Sequence, residues 1–245
     1  MRGLEATELL GVWERGLAQP PTQRAITMLA SAFPEVEPGA LARLSVGQRD
    51  ARLLTLREST FGPRLAGTVS CPECAQRLEM VFNIDDIRVA DPAHESAENL
   101  TLSVAGHDLE FRLPNSVDLA AIAGEPDESV ARRALLGRCL VSARKGDAQM
   151  AIGDLSEPAL AAVVERMAQA DPQANLELDL SCPACHWRWK ALFDIAAFYW
   201  TELNAWAQRL MHEVHVLATA YGWREADIVA MHPTRRRFYL EMAGE

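Results

Sequence analysis

The sequence predicts an α+β fold: a mainly helical chain around a small pseudo-twofold pair of β-hairpins, with a hairpin-plus-helices region inserted between the two copies. Three observations carry that prediction. Two Cys-x-x-Cys brackets, Cys71-Pro72-Glu73-Cys74 and Cys182-Pro183-Ala184-Cys185, repeat at an offset of 111 positions, from 71 to 182. Their flanks repeat as well: Val69-Ser70 matches Leu180-Ser181, and Phe82 and Ile84 match Phe193 and Ile195. Most of the remaining chain shows apolar residues at helical spacing between caps and breakers.

Taken in order, residues 1–58 read as an N-terminal helical region. Leu9, Leu10, Trp13 and Leu17 share one face, and Pro20-Pro21 interrupts the pattern. Thr22 is placed to cap a second helix carrying Ile26, Leu29, Ala30 and Phe33, ended by Pro34. Ser45-x-x-Gln48 has the form of a capping box and opens a third helix that runs to about Arg57. Residues 59–84 form the first knuckle hairpin, with Met80, Phe82 and Ile84 alternating along its second strand.

Residues 85–170 read as the insert. It begins with an acidic, loop-like stretch from Ile87 to Glu98. Leu100, Leu102 and Val104, then Leu109, Phe111 and Leu113, alternate around Ala105-Gly106-His107-Asp108 and predict a hairpin. Helices are expected at 116–123, 128–143 and, behind Ser156, 157–170. Residues 171–195 form the second knuckle hairpin, entered by Leu176, Leu178 and Leu180 and left by Trp187, Trp189, Ala191 and Phe193. Asp194 can cap the long helix of the last region, 196–245. Its seam runs through Ile195, Tyr199, Leu203, Trp206, Leu210, Val214, Leu217 and Tyr221, and Gly222 stops it. One or two short helices complete the tail.

The bulk figures suit a globular chain of one or two domains: 245 residues, 49% hydrophobic and 24% charged. A net charge of −10 disfavours wholesale binding to nucleic acid or an anionic membrane. The N-terminus has no secretory apolar run, and no apolar stretch approaches the ~18 residues that span a bilayer. The expected setting is cytoplasmic and reducing, where paired Cys-x-x-Cys brackets favour a metal over disulfides.

Two such brackets point Cys71, Cys74, Cys182 and Cys185 at one ion, which predicts a single structural Zn²⁺ and a zinc-ribbon-like centre. Thiol pairs that bind nothing, separate or redox-active pairs, and His186 as a substitute ligand are the alternatives. Their distance apart in the chain is no obstacle. Loop closure costs only ~0.6 kcal/mol more per doubling of length, against on the order of 10–16 kcal/mol for structural zinc. Ala75 and His186 stand directly after the second cysteines, where a positive φ is expected and glycine would be easier. The fifth cysteine, Cys139, reads as a small core residue.

Other motifs yield less. His212-Glu213-Val214-His215 has the wrong spacing for a zinc-protease helix and reads as a solvated or partner-facing surface. Arg235-Arg236-Arg237 reads as a solvated helix end, with partner contact or nucleic acid as the alternatives. Arg49-Asp50-Ala51-Arg52 reads as a surface ion-pair cluster, with a polar contact buried between domains as the second possibility. Trp187, Trp189, Trp200 and Trp206 read mostly as core, with part of a docking surface as the alternative. No phosphate loop, nucleophile elbow or other catalytic constellation is found, so an enzyme is not expected.

Several segments together resemble one known family. They are Leu44-Ser45-Val46-Gly47-Gln48-Arg49-Asp50-Ala51-Arg52-Leu53-Leu54, Phe61-Gly62-x-Arg64-Leu65, the C-P-x-C brackets, Tyr221-Gly222-Trp223 and Arg235-Arg236-Arg237-x-Tyr239-Leu240. From about residue 9 to 240 the chain is similar to the T4-type baseplate proteins, the baseplate hub assembly chaperones of contractile phage tails and contractile injection systems. The resemblance implies a non-enzymatic assembly factor or baseplate subunit whose partners are hub or spike proteins. The alternative function is a zinc-ribbon nucleic-acid-binding or regulatory protein, marked by a continuous basic face including Arg188, Lys190 and Arg235–Arg237. A metalloenzyme with an open coordination position comes third.

Overall fold

The computed structural model describes residues 2–89 and 99–244. Four helices lead: α1 (Ala6–Gly16), α2 (Pro21–Ala32), α3 (Pro38–Arg43) and α4 (Val46–Phe61). Pro21 and Pro38 each take a first-turn position, where the missing N–H costs nothing. The second helix therefore starts ahead of Thr22, and the Pro38-Gly39 pair opens a short helix that apolar periodicity did not predict. The capping box at the head of α4 forms: Ser45 Oγ accepts from Gln48 N at 3.2 Å, and Ser45 N donates to Gln48 Oε1 at 3.1 Å. The helix outruns Arg57 to end at Gly62, whose φ of 87° suits only glycine. It is the central helix, burying Leu53, Leu54 and Leu56 completely.

Two hairpins follow the duplicated pattern. β1 (Arg64–Ser70) pairs antiparallel with β2 (Arg77–Asn83). The insert then contributes β3 (Leu100–Val104), β4 (His107–Phe111), α5 (Ser116–Ile122), α6 (Glu128–Cys139), β5 (Leu140–Lys145), β6 (Ala148–Gln149) and α7 (Glu157–Ala170). β7 (Glu177–Ser181) pairs with β8 (Arg188–Leu192), and α8 (Ile195–Tyr221), α9 (Glu225–Val229) and α10 (Pro233–Ala243) complete the chain. Ser70 faces Arg77 in the first hairpin, and Ser181 faces Arg188 in the second, the same register carried along by 111 positions. Asp194 caps α8 by accepting from Ala197 N at 3.0 Å, and Gly222 ends it at φ 68°.

The insert departs from expectation in two strands, β5 and β6. The helix expected over 128–143 stops at Cys139, and Leu140–Lys145 is a strand laid antiparallel on β4 in a sheet ordered β3-β4-β5-β6. Local spacing favoured helix, but the open edge of β4 supplies main-chain partners that a helix there would leave unmet. The turn before β4 is tighter than expected, made by Ala105 (φ 52°) and Gly106 (φ 76°), with His107 already in strand. Of the acidic stretch from Ile87 to Glu98, residues 90–98 lie outside the described residues.

A small apolar cluster of Leu10, Ala207, Leu210 and Val229 joins α1 to α8 and α9, and two larger apolar cores result. One joins α1, α2 and α4 to both hairpins and the start of α8, through residues such as Met28, Leu54, Leu65, Ile84, Ile195 and Tyr199. The other belongs to the insert, with Leu109, Phe111, Leu136, Ala143 and Leu160. Between them lies a buried polar seam. Arg49 bonds Asp50 at 2.7 Å and Ser116 Oγ at 3.3 Å, and Gly47 N donates to Asp171 Oδ2 at 2.9 Å. Burial pushes Asp50 up to about 6, with the charge of Arg49 pulling the other way. This corrects the surface ion-pair reading of Arg49-Asp50: the segment is the polar contact between the two packed units. The insert's ends are also held together, because buried Gln173 accepts from Val89 N at 2.8 Å and donates to Ile87 O at 3.3 Å.

Gly47 tests the seam. A Cβ there would lie 2.0 Å from Asp171 Oδ1 and 2.9 Å from Ala174 N, so neither chain can keep its place. Gly47→Ala is expected to destabilise the protein by roughly 1–3 kcal/mol. Hydrogen exchange should rise at residues 171–174 and the start of α4, while the Leu53–Leu56 amides stay protected. An unchanged urea midpoint would contradict this account of the seam.

Candidate metal centre

Each knuckle is built by its own main chain. In the first, Cys71 N donates to Gln76 O and Ala75 N donates to Cys71 O, both at 2.9 Å. In the second, Cys182 N donates to Trp187 O and His186 N donates to Cys182 O, also at 2.9 Å. Closing these loops puts Ala75 at φ 59° and His186 at φ 60°, the left-handed conformation expected after the second cysteine. The knuckles are thus superposable in hydrogen bonding as well as in sequence.

The same twofold relation runs through the packing behind them. Phe82 and Phe193 occupy equivalent positions and meet edge to face, with ring centroids 5.5 Å apart. Equivalent Leu65 and Leu176, and equivalent Ile84 and Ile195, are all buried in the core beneath. Cys71 and Cys182 are buried, whereas Cys74 and Cys185 face outward.

All four sulfurs converge, every pair lying within 4.8 Å. Cys71 Sγ is 3.6 Å from Cys185 Sγ, and Cys74 Sγ is 3.6 Å from Cys182 Sγ, so each close pair joins one knuckle to the other. A tetrahedral ion with metal–sulfur bonds of ~2.3 Å holds its ligands about 3.8 Å apart. A disulfide would need about 2 Å. The donor set therefore fits one four-coordinate ion of the kind that prefers thiolates.

The electrostatics agree with that fit. The main-chain amide of Cys185, and then that of Ala184, hold the Cys182 thiol down to about 7. At Cys185 the Trp187 amide acts in the same direction. Desolvation and the thiols of Cys74, Cys182 and Cys71 outweigh it and push the group up to about 12. His186 is exposed, beyond the second knuckle's own cysteine pair. Cys139 is fully buried in the insert and its thiol is pushed up to about 11, chiefly by burial, as befits an inert core residue.

The remaining motifs resolve into structure. Arg236 is not solvated: it is buried, bonding Glu213 Oε2 at 2.8 Å and Met231 O at 2.7 Å. Glu213 comes from the His212–His215 stretch, so two segments that looked like separate surface features meet in one ion pair. Arg235 and Arg237 are exposed, Arg237 pairing with Glu241, and Lys190 pairs with Glu177 at 2.8 Å. Trp200 lies under the Arg24 guanidinium at 4.5 Å and, with Trp206, packs against the core. Trp189 is half-buried, and Trp187 is exposed. Tyr221 stacks on Trp223 at 4.6 Å, with Tyr239 edge-on to both. Sequence reasoning missed the clamp of buried Arg57, which donates two 2.7 Å bonds to Glu202 and so ties the end of α4 to α8. No local spacing announces that pair, because its members lie far apart in the chain.

A mainly helical scaffold, centred on two fused hairpins with four converging thiols, is the class of protein this architecture defines. The family model of the T4 bacteriophage base plate protein matches residues 19–200, most of the chain and all of both hairpins and the insert. The chain belongs to that family, and with it to the components of phage baseplates. The matched residues are fewer than the 9–240 over which the sequence resemblance was drawn, and leave out the Tyr221 and Arg235–Arg237 segments. No curated protein and no solved structure matches the chain. Among the described residues, no helix is long and apolar enough to cross a membrane.

The two left-handed residues give a direct check on knuckle geometry. Ala75→Gly and His186→Gly each remove a Cβ from a positive-φ position. Each is expected to raise stability by about 1 kcal/mol or less, after the greater freedom of glycine in the unfolded chain is counted. Equal, additive gains in denaturation midpoints would fit two equivalent knuckles. A loss at either position would contradict them.

Proposed function

We propose that this chain is a zinc-stabilised, non-enzymatic assembly factor or subunit of a contractile phage-tail-like or injection-system baseplate, acting through protein–protein contacts with hub or spike proteins. The observation that carries the reading is the meeting of four thiols from two distant knuckles, in a chain of the baseplate family. Cys71, Cys74, Cys182 and Cys185 are the ligands in this reading. A Zn²⁺ held by four thiolates has no free position, so its contribution is to lock the two hairpins together. We take 85–170 as a region inserted within the metal-pinned unit, and 1–58 and 196–245 as its helical flanks. The chain works in the cytoplasm, where tails are built, and enters the particle from there.

Nucleic-acid binding is less well supported. Of the basic residues that would mark it, Arg236 is buried, while Lys190 and Arg237 are tied to carboxylates.

Two measurements test the proposal. Purified protein should carry one zinc per chain, with X-ray absorption showing four sulfur ligands. Chelation, or Cys74→Ser with Cys185→Ser, should release the metal and unfold the hairpins before the insert. A metal-free chain with unchanged stability would remove the zinc role. Co-expression with hub and spike proteins of its own tail should give a retained complex; passage of the loaded chain through every such pull-down would refute the assembly role.

A further inference from the structure

Among the described residues, the duplicated unit leaves one of its two sides uncovered. Each hairpin is a two-stranded sheet, so β2 and β7 each keep an unpaired edge. Both edges line the same groove, of about 570 Å³. The ladder fixes which main-chain groups are free. Leu176 O accepts from Phe193 N and Cys182 N donates to Trp187 O, so even-numbered residues of β7 bond inward to β8. Antiparallel alternation then turns the N–H and C=O of Glu177 and Asp179 outward. The equivalent bond, Cys71 N to Gln76 O, turns those of Glu79 and Val81 outward from β2.

The side chains around the groove are of two kinds. Half-buried Met80, Phe82, Leu178 and Leu180, with buried Leu176, make an apolar floor. Glu79, Asp86, Glu177 and Asp179 line it with carboxylates, and among the described residues the lining contains no Lys or Arg. Lys190, on β8, reaches Glu177 at 2.8 Å, and Asp86 Oδ2 accepts from Asn83 N. Lys190 also stands opposite Asp179 and feels its charge, so one cation serves two carboxylates of β7, and with Glu79 the groove keeps an acidic excess. On the opposite side of the unit, Phe198 of α8 closes on Gly67 of β1, at 3.4 Å from where a Cβ would be. Ile87 holds the equivalent position beside Leu178, and among the described residues no helix continues over this side.

We propose that this groove binds an extended segment of a partner protein, added as a strand to the free edge of β2 or β7, with apolar residues alternating with Lys or Arg. Main-chain bonds to the outward groups supply the strand pairing. The apolar residues of the segment meet the floor, and its cationic residues meet Glu79 and Asp179. The inference rests on the assembly role proposed above, and names the surface through which that role is exercised.

The test uses the full-length, zinc-loaded chain and three seven-residue probes: one alternating Lys and Val, one alternating Glu and Val, and the Lys/Val peptide N-methylated along one edge. The Lys/Val peptide is expected to bind at least tenfold more tightly than the other two. It should protect the amides of Glu79 and Val81, or of Glu177 and Asp179, from hydrogen exchange. Glu79→Lys with Asp179→Lys should abolish that preference while zinc content and the circular dichroism spectrum stay unchanged. Equal binding of the three probes, or protection outside both edges, overturns the proposal. So does a concentration-dependent dimer lost in the double variant, which would give the groove to a second copy of this chain. Pull-downs with hub and spike proteins separate the two levels. If the parent chain retains a partner and the double variant retains it equally well, the groove is refuted and the assembly role stands. If the parent retains none while the Lys/Val peptide still binds at the edges, the groove stands and the assembly role falls.

Discussion

Four sulfur atoms within 4.8 Å of one another, from knuckles on opposite sides of the insert, are the constraint on which the rest of the chain depends. A two-stranded hairpin is marginal by itself in water. Each of these hairpins exposes its outer face and, Leu65 apart, only half-buries the strand residues of the inner one. Set face to face they share Phe82, Phe193, Leu65 and Leu176, a small apolar contact for two pieces of sheet. The close sulfur pairs cross from one hairpin to the other, so a bound ion would tie the two hairpins together at their outer ends. The aromatic pair and the core beneath Ile84 and Ile195 hold the other end.

The duplicated unit has two different exits, and this asymmetry organises the molecule. After Asn83 the chain makes a short 3-10 turn, Ile84–Asp86, and departs for the insert. After the equivalent Asp194 it continues into the 27 residues of α8. Equivalent positions thus carry two tasks: one anchors an excursion, and the other launches the long helix that packs against α1, α2 and α4. Arg57 joins these tasks, since its guanidinium bonds Glu202 on α8 and Gly62 O at the entrance to the first hairpin.

Much of this was legible in the sequence because it is local. The capping box at Ser45, the Asp194 cap, the Gly222 stop and each Cys-x-x-Cys bracket depend on residues a few positions apart, and the repeat at 111 positions is a match between two such local patterns. What escaped prediction depends on partners brought from elsewhere. β5 is a strand because β4 offers an edge. Arg49 and Asp50 are buried because the insert closes over them, and Arg236 because Glu213 faces it across the turn of α9. Charged residues at the surface of an isolated helix look alike whether or not another element later covers them, so pattern reading defaults to solvent.

The polar character of the seam between the two cores bears on how the insert is held. An apolar contact would make region 99–170 inseparable from the rest, since opening it would expose hydrocarbon to water. Here the contact includes Arg49, Asp50, Ser116, Asp171 and the Gly47 amide, together with the main-chain pairing of Ser45 and Val46 with Asn115 and Pro114, groups that water can satisfy when the contact opens. Burial of these charges adds little net stability, but the geometry of their hydrogen bonds fixes orientation. Gln173 ties the two strands of chain at the base of the insert regardless of the seam. The insert is therefore oriented by hydrogen bonds and tethered at its root, while its own apolar core keeps it folded.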